Sequence, residues 1–187
     1  MTRNAVIFLA PGFEELEALA PADVVRRAGL NVVLCAVLPS GDSSLMVPGA
    51  HGVRVQGDVR IEELVPADFQ LAYLPGGMPG ATNLAASAAV LEAVRTIRAA
   101  GTVCAICAAP IALDAAGLLD GVEYTCYPGF ERHIKAGNYT GKFIQKSGSV
   151  LTACGPGAAV DFSLEILRFI GLGAMAGSLA EGMQLRR

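Results

Sequence analysis

An α/β sandwich, with a mostly parallel central sheet covered on both faces by helices, is the fold class this sequence predicts. Apolar, β-branched runs alternate with helix-like segments along the chain, the pattern of parallel strands joined by crossover helices. The runs themselves, residues 5–10 and 102–106 among them, look like strands buried on both faces. At 187 residues the chain suits one such domain with a well-buried core.

In chain order, residues 5–10 read as the first strand and 14–28 as the helix that follows. Pro21 should kink that helix or start a second one at its own first turn, leaving residues 14–19 as a short separate turn. Residues 32–37 read as the next strand. Between Pro39 and Asp58, Gly and Ser clusters flank residues 45–47 and 53–55, the signature of a β-hairpin. Residues 71–74, 102–106 and 150–153 complete the strands, and 88–100, 108–116 and 158–170 the helices. The pattern is weakest between Glu123 and Gln145, where short extended pieces, a helical turn over 130–136 and a Gly137-Asn138 turn are expected. No repeat or linker interrupts the chain, so residues 1–187 are expected to form one domain.

Composition excludes several function classes. Hydrophobic residues make up 53% and charged residues 17%, the balance of a packed core and not of a disordered chain. Net charge is −3, with no basic stripe or block, so nucleic-acid binding has no electrostatic footprint. The first apolar run is too short for a secretory signal, and residues 169–180 fall short of the roughly 20 that a membrane helix needs. A cytoplasmic protein without a membrane partner is expected. Its five cysteines, an odd number, are then expected to be free thiols in a reducing compartment.

One cysteine stands apart. Strand 102–106 runs directly into Cys107 and then into a helix-like Ala108-Ala-Pro-Ile-Ala-Leu113, the strand, sharp turn and helix of a nucleophile elbow. The carboxyl end of a central strand is where open α/β sheets bind ligands. The following helix offers free N–H groups that stabilise a thiolate, and small Ala108 and Ala109 permit the turn. Thiols so placed can ionise at roughly pH 3.5 to 7.5, against about 8.5 for free cysteine. Cys104 and Cys107 also form C-x-x-C, but Cys104 lies inside the strand, unlike a thioredoxin-type pair. The remaining cysteines with His51 and His133 supply no second paired motif, so no metal is expected.

Four motifs in this order, Glu14-Glu-Leu-Glu17, Leu74-Pro-Gly-Gly77, Ala105-Ile-Cys-Ala-Ala-Pro110 and Gly155-Pro-Gly157, resemble the DJ-one branch of the ThiJ/PfpI family over nearly the whole chain. The resemblance implies a flavodoxin-like three-layer sandwich, usually a homodimer, with Cys107 as nucleophile and oxidisable thiol. It also implies a protonated Glu17 hydrogen-bonded to the sulfur. Spacing alone leaves Glu14 and Glu17 as alternatives on one helix face, with Glu15 pointing elsewhere. Solvated first-turn carboxylates suit Glu14 and Glu15 better. The Gly76-Gly77 turn and Ala108 would supply backbone N–H donors in an oxyanion-hole-like site. Where many relatives carry His, this chain has Tyr127, beside Cys126; where some carry Arg, it has Cys154, just before Pro156. His51 falls in the hairpin segment that approaches the partner subunit's pocket in relatives.

The activity so implied is that of a cofactor-independent glyoxalase or deglycase acting on small dicarbonyls such as glyoxal and methylglyoxal, or on their protein adducts. The alternative is a redox-sensing protective protein or chaperone whose Cys107 oxidises without obligatory turnover. Peptidase activity in the family needs a His after the nucleophile, and here Ala108 occupies that place.

Overall fold

A computed structural model describes residues 4–185 of the chain. The elements run β1 (Asn4–Leu9), α1 (Glu15–Arg27), β2 (Asn31–Ala36), β3 (Met46–Pro48), β4 (Arg54–Gln56), β5 (Val59–Arg60), β6 (Leu71–Leu74), α2 (Gly80–Ala86), α3 (Ala88–Ala100), β7 (Thr102–Ile106), α4 (Pro110–Ala115), β8 (Glu123–Tyr124), β9 (Asn138–Tyr139), β10 (Ile144–Ser147), β11 (Val150–Ala153), α5 (Ala159–Phe169) and α6 (Gly173–Gly182). Seven strands form the central sheet in the order β10-β11-β7-β6-β1-β2-β5, and only the β10–β11 pair is antiparallel. The α/β class and the mostly parallel sheet are as the sequence predicts.

Strand alternation divides the core into two layers. In β1, Val6 and Phe8 enter one cluster while Ala5, Ile7 and Leu9 enter the other. The first layer is closed by α2, α3 and α4, the second by α1, α5 and α6. Each fully buried Val, Leu, Ile or Phe contributes roughly 1.5–3 kcal/mol, so a sheet hidden on both faces stabilises the platform for the loops at its carboxyl end. In α3 the buried residues Val90, Ala93, Val94 and Ile97 form one stripe, and Ser87 caps its first turn by accepting from the Val90 N–H.

Pro21 behaves differently from the expectation. It sits inside an unbroken α1, buried with Ala18, Ala22 and Val25 in the seam against the sheet. Proline there removes one ladder hydrogen bond, and the packing of that seam offsets the loss. The hairpin appears as β3 and β4, paired from Met46–Gln56 to Pro48–Arg54. In the weakly patterned stretch, β8 and β9 pair in parallel around a 3₁₀ turn at Phe130–His133, and Gly137 takes φ +83° at the turn. The helices α2 and α6 and the edge strands β5 and β10 lie outside the sequence reading. No helix among the described residues is long and apolar enough to cross a membrane.

Candidate active site

The elbow forms where β7 ends. Ile106 pairs with Ala153, and the Cys107 N–H donates to the Ala153 carbonyl at 2.9 Å, so sheet pairing persists to the turn. Cys107 then adopts φ +61°, a left-handed conformation that costs a residue with a Cβ about 1–2 kcal/mol. Its carbonyl accepts from the Tyr127 N–H at 2.9 Å, which anchors the strained residue from the other side. Helix α4 begins only at Pro110, later than the sequence suggests, because Cys107 to Ala109 are consumed by the turn. The amides that meet the sulfur are those of Ala108 and Gly77.

Opposite the elbow, the Gly76-Gly77 turn is laced to the start of α1. The Glu14 N–H donates to the Gly76 carbonyl at 2.9 Å, and the Gly76 N–H donates to Glu17 Oε2 at 2.7 Å. Glu14 caps the helix, its Oε2 accepting from the Glu17 N–H at 2.8 Å. A Cβ on Gly76 would stand 2.7 Å from both Cys107 Cβ and Glu17 Oε2, so only glycine allows thiol and carboxyl to close over it. Gly77 holds φ +84°, and a side chain there would strike the Glu14 nitrogen and the Gly12 carbonyl.

Glu17 is fully buried and hydrogen-bonded to the Cys107 thiol. Burial pushes its carboxyl up to about 7, against the pull of the Gly76 N–H and the thiol. The thiol moves opposite to the sequence expectation: burial first, then the Glu17 charge beside it, pushes Cys107 up to about 12, and the Ala108 and Gly77 amides only partly counter this. The two groups form one proton-sharing pair. With the proton on Glu17 the repulsion on sulfur vanishes while both amide donors remain, so the carboxyl decides whether the sulfur can carry charge.

Around this centre the other expected residues separate. Glu15 is buried: its Oε1 accepts from the His51 N–H at 2.7 Å and the Val53 N–H at 3.3 Å, and its Oε2 meets His51 Nδ1 at 2.8 Å. It is therefore not a solvated first-turn carboxylate but the clamp between α1 and the hairpin. Burial pushes its carboxyl up, but the His51 and Val53 hydrogen bonds outweigh that and hold it below the usual range. The same contact raises the exposed His51 imidazole. Glu14, Glu15 and His51 present ligand atoms within 4.8 Å of one another, although hydrogen bonds inside the cluster already use both Glu15 oxygens.

Tyr127 is half-exposed and lies over Gly155, edge-on to Phe130 at 6.3 Å. Pro156 opens a 3₁₀ turn, Pro156–Ala158, beside it. Cys154 is half-buried at the end of β11, its thiol raised chiefly by burial. Cys126 is a different case: it is fully buried in the layer closed by α2, α3 and α4, whereas Cys107 belongs to the other layer. All five cysteines are free, and Cys104 is buried within β7. A residue missed in the sequence is Tyr73, a phenol in the buried run Leu71–Leu74 just before the glycine turn.

A family profile described as DJ-1/PfpI matches residues 3–169. Protein dj-1beta of Drosophila melanogaster is 34% identical over 170 residues, which span 89% of this chain and 88% of that protein. The Parkinson disease protein 7 homolog of Danio rerio is 35% identical over 170 residues, 88% of each chain. The glutathione-independent glyoxalase DJR-1.2 of Caenorhabditis elegans is 33% identical over 171 residues, 88% of this chain and 87% of that one. The crystal structure of Drosophila DJ-1beta matches with a TM-score of 0.92 at 30% identity over the full length of both chains. Oxidized Toxoplasma gondii DJ-1 matches with a TM-score of 0.89 at 28% identity, also over both full lengths.

Proposed function

The chain belongs to the DJ-1/PfpI family, and on that premise we propose that it is a cysteine-dependent, cofactor-independent enzyme of glyoxalase or deglycase type. Its substrates are small dicarbonyls such as glyoxal and methylglyoxal, or their early protein adducts. The observation that carries this reading is the buried Glu17–Cys107 pair, a carboxyl held near neutrality against a thiol that two backbone amides face. A carboxyl at about 7 is suited to give and take protons in the cell.

Glu17 takes the thiol proton as the sulfur attacks the aldehyde carbon and a C–S bond forms, and the carbonyl oxygen then takes that proton from Glu17 to give a hemithioacetal. The Gly77 and Ala108 amides, which face the sulfur, would hold that oxygen as charge develops on it. Glu17, now ionised, takes the proton from the sulfur-bearing carbon as a C=C bond forms and the ketone C=O opens, and returns it to the former ketone carbon, while the hydroxyl proton passes from the hemithioacetal oxygen to the former ketone oxygen. The product is a thioester of the 2-hydroxy acid, which water hydrolyses to release lactate from methylglyoxal and restore the thiol. Supporting this direction, one relative carries the name glutathione-independent glyoxalase. The test is conversion of methylglyoxal to lactate by purified protein without glutathione. Turnover no faster than that of Cys107→Ser overturns the proposal.

A redox-protective role is the second reading, favoured by the likeness to an oxidized Toxoplasma relative. Selective addition of oxygen at Cys107 under mild peroxide, without dicarbonyl turnover, would establish it in place of catalysis. The partner in either case is a second copy of the chain. Exposed Leu16 and Leu19 on α1, together with Met46 and Val53 of the hairpin region, supply apolar surface for a homodimer. Sedimentation as a monomer at micromolar concentration would remove that part. The cytoplasm, which keeps thiols reduced, is the compartment this chemistry requires.

A further inference from the structure

Four buried side-chain polar atoms among the described residues lack a hydrogen-bond partner: Glu17 Oε1, Tyr73 Oη, Thr125 Oγ1 and Gln145 Oε1. Two of them concern the site: Tyr73 belongs to the core layer that contains Cys107, the thiol to which Glu17 is hydrogen-bonded. Tyr73 lies on β6, three residues before the Gly76 whose N–H holds the other Glu17 oxygen. Its side chain is 1% exposed and its ring packs on Phe162 of α5 with centroids 5.8 Å apart. The strands on either side place Ile7 and Cys104 beside it.

Phenylalanine would fill that apolar site as well, so packing does not account for the hydroxyl. A buried phenol normally finds a partner, and so does a buried carboxyl oxygen. Of the charged groups acting on the Tyr73 hydroxyl, Glu17 is the strongest, ahead of Cys104, Cys107 and Glu14. No direct hydrogen bond joins the two side chains, and an enclosed water is the unit that satisfies a pair of orphaned buried polar atoms.

We propose that Tyr73 is a positioning residue whose hydroxyl, through one enclosed water, donates to Glu17 Oε1 and so fixes the carboxyl against Cys107. Glu17 is then held at both oxygens, by Gly76 on one side and by Tyr73 on the other. A donor to Oε1 favours the ionised carboxyl and opposes the burial that keeps it protonated. The other titratable groups that bear on this carboxyl are Glu14 on its own helix, Cys107 at the elbow and Cys154 from the end of β11, while Cys104 of β7 bears on Tyr73. This inference rests on Glu17 being the proton-carrying group of the proposed function but does not require that dicarbonyls be the substrate.

The experiment is an infrared pH titration of the protonated carboxyl band, assigned to Glu17 by its loss in Glu17→Gln. In Tyr73→Phe the midpoint should rise by about half a pH unit or more, with thermal stability little changed. Uniform 3-fluorotyrosine, a stronger hydrogen-bond donor, should lower the midpoint, and should fail to do so in the Tyr73→Phe background. A midpoint unchanged in both Tyr73→Phe and the fluorinated protein overturns the proposal. Because the band is read without turnover, absence of lactate formation would defeat the dicarbonyl reading and leave this result standing.

Discussion

Glu15 and Glu17 stand two residues apart in the first turn of α1, both hidden from solvent, and their carboxyls are shifted in opposite directions. Glu15 faces the hairpin, where two backbone N–H groups and the His51 ring donate to it. Glu17 faces the elbow, where a single backbone N–H and a thiol meet it and its second oxygen has no protein partner. Glu17 lies deeper than Glu15 and meets fewer donors, so depth and the supply of donors together separate them. Where donors are plentiful the carboxylate becomes a structural clamp; where they are scarce it becomes a proton carrier.

The sharpest way to break this contrast is at Gly76. Gly76→Ala drives a methyl between Cys107 and Glu17 and should abolish methylglyoxal turnover, while the hydrogen bonds of Glu15 to the hairpin are untouched. A turnover assay with the wild-type rate would show that the two groups need not close over the glycine. Next in size, Glu17→Gln removes the proton carrier and should lower kcat by about 10²–10⁴-fold, whereas Glu15→Gln should leave it within a few-fold. Equal losses in the two variants would erase the distinction.

Stability should separate the same pair by sign. Glu17 is raised to about 7 when folded from an unfolded value near 4.5, so the folded state holds the proton more tightly. Its contribution is full at low pH and is lost as pH rises from about 4.5 to about 7, a change on the order of 3 kcal/mol. Denaturant melts of Glu17→Gln should lack that fall and show a variant more stable than wild type at pH 8. Glu15 is lowered, so its contribution is present above the usual carboxylate range and is lost as pH falls through the folded value. Glu15→Gln should cost roughly 1–3 kcal/mol at pH 7 by weakening a buried acceptor of two backbone donors. The smallest effect is expected for His51→Ala, whose ring is largely exposed, and it should be seen mainly as a loosened hairpin in hydrogen exchange.

The sequence made the fold legible wherever period and composition agreed. Residues 71–74, 88–100, 102–106 and 150–153 coincide with observed elements because their apolar runs are buried on the faces the pattern implies. Helix α6 was not legible, since Gly173, Gly177 and Gly182 weaken its helical signal and only packing against α5 secures it. Pro21 misled for the complementary reason, a local rule overridden by a tertiary seam. At the site, the elbow and the glycine turn could be seen because strained backbone needs particular residues. Charge could not. Glu15 reads from sequence as a solvated carboxylate, and only the returning hairpin reveals its donors. Cys126 reads as a neighbour of the pocket, and the loop after β8 buries it in the opposite layer from Cys107. Tyr73 left a faint signal, a phenol within an otherwise apolar strand.

The central claim is that Glu17 takes the proton so that Cys107 can carry the charge, and the pH dependence of Cys107 alkylation in wild type and Glu17→Gln tests it most directly. The account predicts a wild-type inflection raised well above the ordinary cysteine value by burial and by the ionised Glu17, and falling by about one unit or more in Glu17→Gln, whose neutral amide removes that charge and leaves both backbone donors in place. An inflection that stays in place or rises in Glu17→Gln would show that the carboxyl does not govern the charge on sulfur and would contradict it.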